Sequence, residues 1–243
     1  MEVEVPREGG VAPREGLLIE AKDVSRVYQQ GQTQVRALDR VSVAFTAGEF
    51  TALAGPSGSG KTTLLNMIGA LDKPTQGSVV VSGQDVADLG RSQAADFRLR
   101  HVGFVFQAYN LLPVLTAYEN AEFTLSLQGV PQAERRRRVM VLLDRVGLGG
   151  KLDRRPDELS GGEQQRVAVV RALATAPTIV LADEPTANLD RKTGAALLDL
   201  MLELQRERGT TFLFSTHDPL VMERARRIVR LDSGAVVADE RTG

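Results

Sequence analysis

No cysteine occurs in the 243 residues, which excludes disulfides and thiolate metal sites and makes a reducing compartment, by default the cytoplasm, the expected setting. No stretch approaches the roughly 18 unbroken apolar residues that a membrane span requires, so work at a membrane needs another chain to cross it. The opening sixteen residues, MEVEVPREGGVAPREG, contain no apolar run of the signal-peptide kind and are expected to form a loose tail. Net charge is scarce too. Thirty basic residues stand against thirty-one acidic ones, a formal charge of -1, so no overall pull toward nucleic acid is built in and no nucleic-acid partner is expected. Lysine is the rare cation, with five copies (Lys22, Lys61, Lys73, Lys151, Lys192) among twenty-five arginines. A lysine inside a motif therefore stands out.

What remains is an ordinary globular composition, 42% apolar and 25% charged, at about the upper size of one domain. From Leu17 the sequence alternates apolar and polar positions, as antiparallel strands do, with a break at Gly48. Phe50 to Ala54 then reads as a short buried strand, followed by a glycine loop and a helix. Ser92 to Arg100 predicts a helix and His101 to Phe106 a strand. Between Gln107 and about Leu173 the strand signal stops, and helices are expected over Thr116 to Leu127, Pro131 to Val146 and Ser160 to Leu173. Alternation of strand and helix resumes with Thr178 to Ala182, Arg191 to Arg208, Thr210 to Phe214, a short helix from Pro219, and Arg227 to Leu231. The expected architecture is one α/β domain over residues 17–243. A mainly parallel core (about 17–106 and 174–243) carries N-terminal antiparallel strands and an inserted helical subdomain (about 107–173).

Gly55, Pro56, Ser57, Gly58, Ser59, Gly60, Lys61 and Thr62 spell GPSGSGKT, which fits G-x-x-x-x-G-K-[ST] with a strand before it and a helix after it. Glycines let successive N–H groups curl around an anion, and the helix that begins near Lys61, with Thr63 in its first turn, adds its positive end. Lys61 is then expected at the β and γ phosphates of a nucleotide, and Thr62 at a magnesium ion.

In open α/β sheets ligands sit beyond the carboxyl ends of the strands, where separate segments converge. Four do so here. The glycine loop follows Ala54, Gln107 follows Phe106, Asp183 and Glu184 follow Ala182, and His217 lies three residues after Phe214. Asp183 is expected to hold magnesium, Glu184 to polarise the attacking water, His217 to fix that water and the γ-phosphate, and Gln107 to ligate the metal. Read alone, His217 is equally a loop residue ahead of the Asp218-Pro219 helix start.

Leu159 to Arg166 reads LSGGEQQR. Ser160 and Glu163 form a capping box, which a plain helix start explains. Gly161 and Gly162 are not so explained, since each costs about 1 kcal/mol against alanine in a helix; close backbone approach to another group is the better reason. Serine, bare backbone and helix N-terminus make half an anion site, without a lysine or a metal ligand. A two-fold dimer would lay each such half over the partner's nucleotide.

With GPSGSGKT, LSGGEQQR and LADEPT together, the sequence resembles an ABC transporter nucleotide-binding subunit from about Leu17 to Asp239. The resemblance implies the P-loop NTPase fold, ATP hydrolysis with Mg²⁺, and a homodimer in which Ser160, Gly161, Gly162, Gln164 and Asp190 meet the partner's ATP. It also implies that Tyr28 stacks on adenine, with a strand-end aromatic as the alternative, and that the ANLD segment ending at Asp190 links the two sites. GALDKPTQG, VGFVFQAYNLLPVLTAYEN and LADEPTANLD are similar to the branch of lipoprotein-releasing, macrolide-exporting and FtsE-like ATPases. That branch implies an integral permease of FtsX/MacB type docking near Gln107 to Tyr118, hence a peripheral place on the inner face of the cell membrane. Transport and mechanical signalling through such a permease stay unseparated, and a soluble ABC ATPase would instead show two cassettes or a long coiled coil.

Overall fold

The computed structural model describes residues 16–241; the reading of residues 1–15 as a tail lies outside the described residues. Period-2 alternation in β1 (Leu17–Gln30) and β2 (Thr33–Thr46) builds a long antiparallel hairpin with Ile19 opposite Phe45 and Tyr28 opposite Val35. β3 (Phe50–Ala54) leaves this hairpin for a second sheet, and α1 (Lys61–Ile68) follows its glycine loop. β4 (Gln76–Val81) and the two-residue β5 (Gln84–Asp85) return to the first sheet, whose order is β2-β1-β4-β5, antiparallel throughout. Then come α2 (Arg91–His101), β6 (Val102–Val105), and three helices in succession, α3 (Ala117–Leu127), α4 (Gln132–Arg145) and α5 (Gly161–Ala174). The chain ends with β7 (Ile179–Asp183), α6 (Arg191–Arg208), β8 (Thr211–Thr216), α7 (Pro219–Arg224), β9 (Arg227–Asp232) and β10 (Ala235–Arg241).

The second sheet has the order β10-β9-β3-β8-β7-β6 and is parallel except for β10. β3 and β8 are buried along their whole length, as strands covered on both faces must be. Alternation in β8 divides the core: Phe212 and Phe214 face one cluster, which includes Leu125, Leu142, Val169 and Met201 of the helices, and Leu213 faces the other, which joins Leu64 and Ile68 of α1 to Ile19, Phe45 and Val79 of the first sheet. Each such side chain contributes about 1.5–3 kcal/mol of burial. The helical segment's apolar residues thus belong to the same cluster as one face of the sheet. Among the described residues no helix is long and apolar enough to cross a membrane.

β10, like the two-residue β5, is an element that the periodicity did not anticipate. Ser233 (φ 48) and Gly234 (φ 83) are both left-handed between Asp232 and Ala235, which makes a two-residue type I′ hairpin turn. That turn donates the Gly234 N–H to the Ser59 carbonyl at 3.1 Å and accepts the Asp39 N–H at 2.8 Å, so the added strand props the glycine loop against β2.

Candidate active site

The carboxyl ends of β3, β6, β7 and β8 open on a cleft of about 480 Å³. Ser57, Gly58, Gly60, Lys61, Thr62 and Thr63 line it from the glycine loop and α1, Gln107 from the segment after β6, Asp183, Glu184 and Ala187 from the end of β7, and Ser215 and His217 from the end of β8. The strand-end convergence expected from the sequence is therefore present in space. Val35, Arg36 and Ala37 of β2 complete the lining and had no local sequence signal, because they arrive from the other sheet. Gly55, Pro56 and Ser59 stand behind the lining. A methyl group on Gly55 (φ 149) would overlap the carbonyl oxygen of Leu231, and one on Gly60 (φ 101) would stand 2.5 Å from that of Ala37, so neighbouring backbone enforces these two glycines.

Lys61 is buried, and its Nζ donates to the carbonyl oxygens of Gly55 (2.8 Å) and Pro56 (2.9 Å). Gly60, at the N-cap of α1, has no side chain to cap the helix, so first-turn N–H groups are left at its cleft end. The buried Ser59 Oγ has no hydrogen-bond partner. This cradle of amide donors and one ammonium suits a triphosphate.

Thr62 donates its hydroxyl to both oxygens of Asp183, at 3.0 and 3.2 Å, across 121 residues of sequence. Glu184 adopts φ 46, a left-handed conformation that costs about 1–3 kcal/mol and persists only where its surroundings enforce it. Here the Glu184 N–H donates to the Ser215 carbonyl at 2.8 Å, Oε2 accepts from the Thr216 hydroxyl at 3.2 Å, and Oε1 lies 2.7 Å from Nδ1 of His217. Asn188 Nδ2 donates to the carbonyl of Gln107 at 2.9 Å and ties the ANLD segment to the metal-ligand candidate of the same chain.

Ser160, Gly161, Gly162, Gln164 and Asp190 do not line this cleft. Ser160 caps α5 by accepting the Glu163 N–H, and Glu163 returns the bond by accepting the Ser160 N–H at 2.9 Å. A methyl group on Gly161 would stand 2.7 Å from the Tyr109 hydroxyl, and one on Gly162 2.7 Å from Cγ2 of Thr193. Both glycines thus have side-chain atoms of the same chain close by. A lysine does come near in space, though it is paired with the cap: Lys151 reaches Oε1 of Glu163 at 2.5 Å. Its ammonium, then the Ser160 N–H, hold the Glu163 carboxyl below the ordinary range. Gln164 donates to the Leu159 carbonyl at 3.1 Å. Asp190 caps α6 through the N–H groups of Lys192 and Thr193, and the Thr193 hydroxyl is the main cause holding its carboxyl low.

Tyr28 is not among the lining residues; it stands across the hairpin from Val35, which is. Of the apolar stretch after Gln107, Leu111 and Tyr118 pack on the core, whereas Leu112 and Val114 are exposed. A separate apolar groove of about 530 Å³ lies alongside, lined by Leu71, Leu99, Phe104, Phe106, Phe123 and Leu127 among others. Arg171 also lines it, donating to the carbonyls of Tyr109 and Asn110, and burial pushes its guanidinium below the usual range.

Residues 38–187 match the family model described as ABC transporter. The chain is 48% identical over 226 residues to an uncharacterized ABC transporter ATP-binding protein of Thermotoga maritima, covering 93% of this chain and 96% of that one. It is also 48% identical over 221 residues to a macrolide export ATP-binding/permease protein, MacB, of Syntrophobacter fumaroxidans, covering 90% of this chain and 31% of the relative. The chain spans about a third of the length of the MacB relatives it matches. Among solved structures, a dimeric MJ0796, a bacterial ABC transporter cassette, superposes with a TM-score of 0.88 at 42% identity, covering 93% of this chain and all of that one. The same cassette in a post-hydrolysis dimer bound to ADP and Pi gives 0.87 at 41% identity, with the same coverage. The chain belongs to the ABC transporter family, as its ATP-hydrolysing cassette.

Proposed function

We propose that two copies of this chain close on two ATP molecules and that the closure drives an integral permease of FtsX/MacB type. The observation that carries this is the single cleft in which Lys61, Thr62, Gln107, Asp183, Glu184 and His217 meet. Lys61 would exchange its two carbonyl acceptors for β and γ phosphate oxygens, with the α1 N–H groups beside it. Thr62, Asp183 and Gln107 offer hydroxyl, carboxylate and amide oxygens, the hard donors that suit Mg²⁺. Among the described residues no group of three or more His, Cys, Asp or Glu could hold a metal, so such an ion takes its remaining oxygens from phosphate and water. When bound, Mg²⁺ supplies charge neutralisation on the phosphates. Glu184 takes the proton of the attacking water, and His217 holds that carboxylate in place.

The second half of each site is Ser160, Gly161, Gly162 and Gln164 of the partner, with Asp190 at the seam. The dimeric MJ0796 cassette supports that arrangement, and the MacB relatives, ATP-binding/permease proteins by name, support the permease. In this reading the apolar groove at Phe123 and Leu127, reached from the Gln107 segment through Phe104 and Phe106, is the surface a permease helix would occupy, and a permease seated there would hold the assembly at the inner face of a membrane. Glu184→Gln is the test: with ATP it should run as a stable dimer on sizing while turnover falls away. A monomer at saturating ATP counts against the sandwich.

A further inference from the structure

Tyr28 belongs to neither core cluster, yet two contacts fix it, and a third joins the groups that make them. Its hydroxyl donates to Oδ2 of Asp72 at 2.7 Å. The Arg26 guanidinium lies over the ring, with Cζ 4.5 Å from the centroid, and donates from Nη2 to Oδ1 of the same carboxylate at 2.7 Å. The three side chains close a cycle: cation on ring, ring hydroxyl on carboxylate, carboxylate on cation. A ring needed only for packing would turn into the apolar interior. This one is held by a half-buried ion pair, and Val35, its partner in register across the hairpin, lines the cleft.

The cycle is anchored to the phosphate grip. Asp72 donates its N–H to the carbonyl of Asn66 at 3.2 Å, and Leu71 does the same at 2.8 Å. Asn66 is a residue of α1, the helix that presents Lys61 and Thr62 at its other end. One helix of eight residues, about 12 Å long at 1.5 Å per residue, therefore joins the phosphate cradle to the mount of the aromatic ring.

We infer that Asp72 and Arg26 are positioning residues for the nucleotide base, holding the Tyr28 ring as one rigid face at a set distance from the phosphate loop. This rests on reading Tyr28 as the base platform. Freeing the two torsions of the tyrosine side chain, which binding must immobilise again, weakens affinity by about twofold to fivefold. Calorimetric titration of the full chain with ATP and, separately, with inorganic tripolyphosphate, which has no base, tests the assignment. Asp72→Ala should weaken ATP by that factor and leave tripolyphosphate unchanged. Arg26→Met, which opens the cycle from its other side, should give the same base-only loss, and the double variant Tyr28→Ala with Asp72→Ala should bind ATP no more weakly than Tyr28→Ala alone. Unchanged ATP affinity in both the Asp72 and Arg26 variants, or an equal loss for both ligands, overturns the inference. If Tyr28→Ala itself binds ATP like the parent chain, the base-platform reading is what fails.

Discussion

Lys151 and Glu163 meet at 2.5 Å at the first turn of α5, where the Glu163 carboxylate also accepts the Ser160 N–H at 2.9 Å. The pair braces the cap that presents Ser160, Gly161 and Gly162.

Lys151→Met should cost about 0.5–1 kcal/mol at pH 7, since the Lys151 side chain is 44% exposed and solvent screens the charge. Lys151 holds the folded carboxyl below its ordinary value of 4.5, so this contribution is complete above that value and is lost as pH falls through the lower, folded one. Urea melts of parent and variant should therefore differ at pH 7, and the difference should shrink as the pH is lowered beneath 4.5. A gap that stays constant over that range assigns Lys151 a role other than pairing with Glu163.

His217→Ala removes a side chain that is 74% exposed, so unfolding should shift by less than about 0.5 kcal/mol. What it removes from the site is the 2.7 Å contact that orients Glu184. Turnover should fall by about 10²-fold or more while ATP affinity stays within a few-fold. Parental kcat in that variant would take His217 out of the reaction.

Lys61→Ala should show the opposite split. Lys61 is buried with carbonyl acceptors alone, and its charge is the cation of the glycine loop. Nucleotide affinity should drop by about a hundredfold, as loss of charge-assisted bonds of about 1.5–3 kcal/mol each implies. Equilibrium titration with ATP is the measurement, and an unchanged constant removes Lys61 from the phosphates.

The parts of the fold that were legible in the sequence are those whose chemistry is local. α6 runs from Arg191 to Arg208 as expected because Asp190 caps one end and Gly209, at φ 67, ends the other. The glycine loop was legible because strand, loop and helix adjoin in the chain. Lys151, twelve residues from Glu163, was not, because a 3₁₀ turn at Gly149–Lys151 folds it back and no periodicity encodes that return. Nor were Val35 to Ala37, whose place at the cleft follows from how two sheets pack. The β9–β10 hairpin did leave a signal, the Ser233-Gly234 dipeptide between two apolar stretches, that a reading stopped at Leu231 passes over.

Leu127 and Phe123 stand four residues apart on α3, so they share one face of that helix, and both are exposed beside Leu71 in the apolar groove. Leu127 is 60% exposed, and aspartate there removes no core packing. Leu127→Asp should therefore leave the melting transition and the ATPase rate of the isolated chain within about twofold, because neither the cleft nor the α5 cap touches it. A charge on that surface has no water once a permease helix covers it, and an unpaired buried charge costs several kcal/mol. The variant should accordingly fail to co-purify with its permease from detergent-solubilised membranes, while an exposed control such as Val141→Asp on α4 is retained. If Leu127→Asp stays bound as firmly as the parent chain, the permease sits on another face, and the exposed Leu112 and Val114 in the segment after Gln107 become the surface to test.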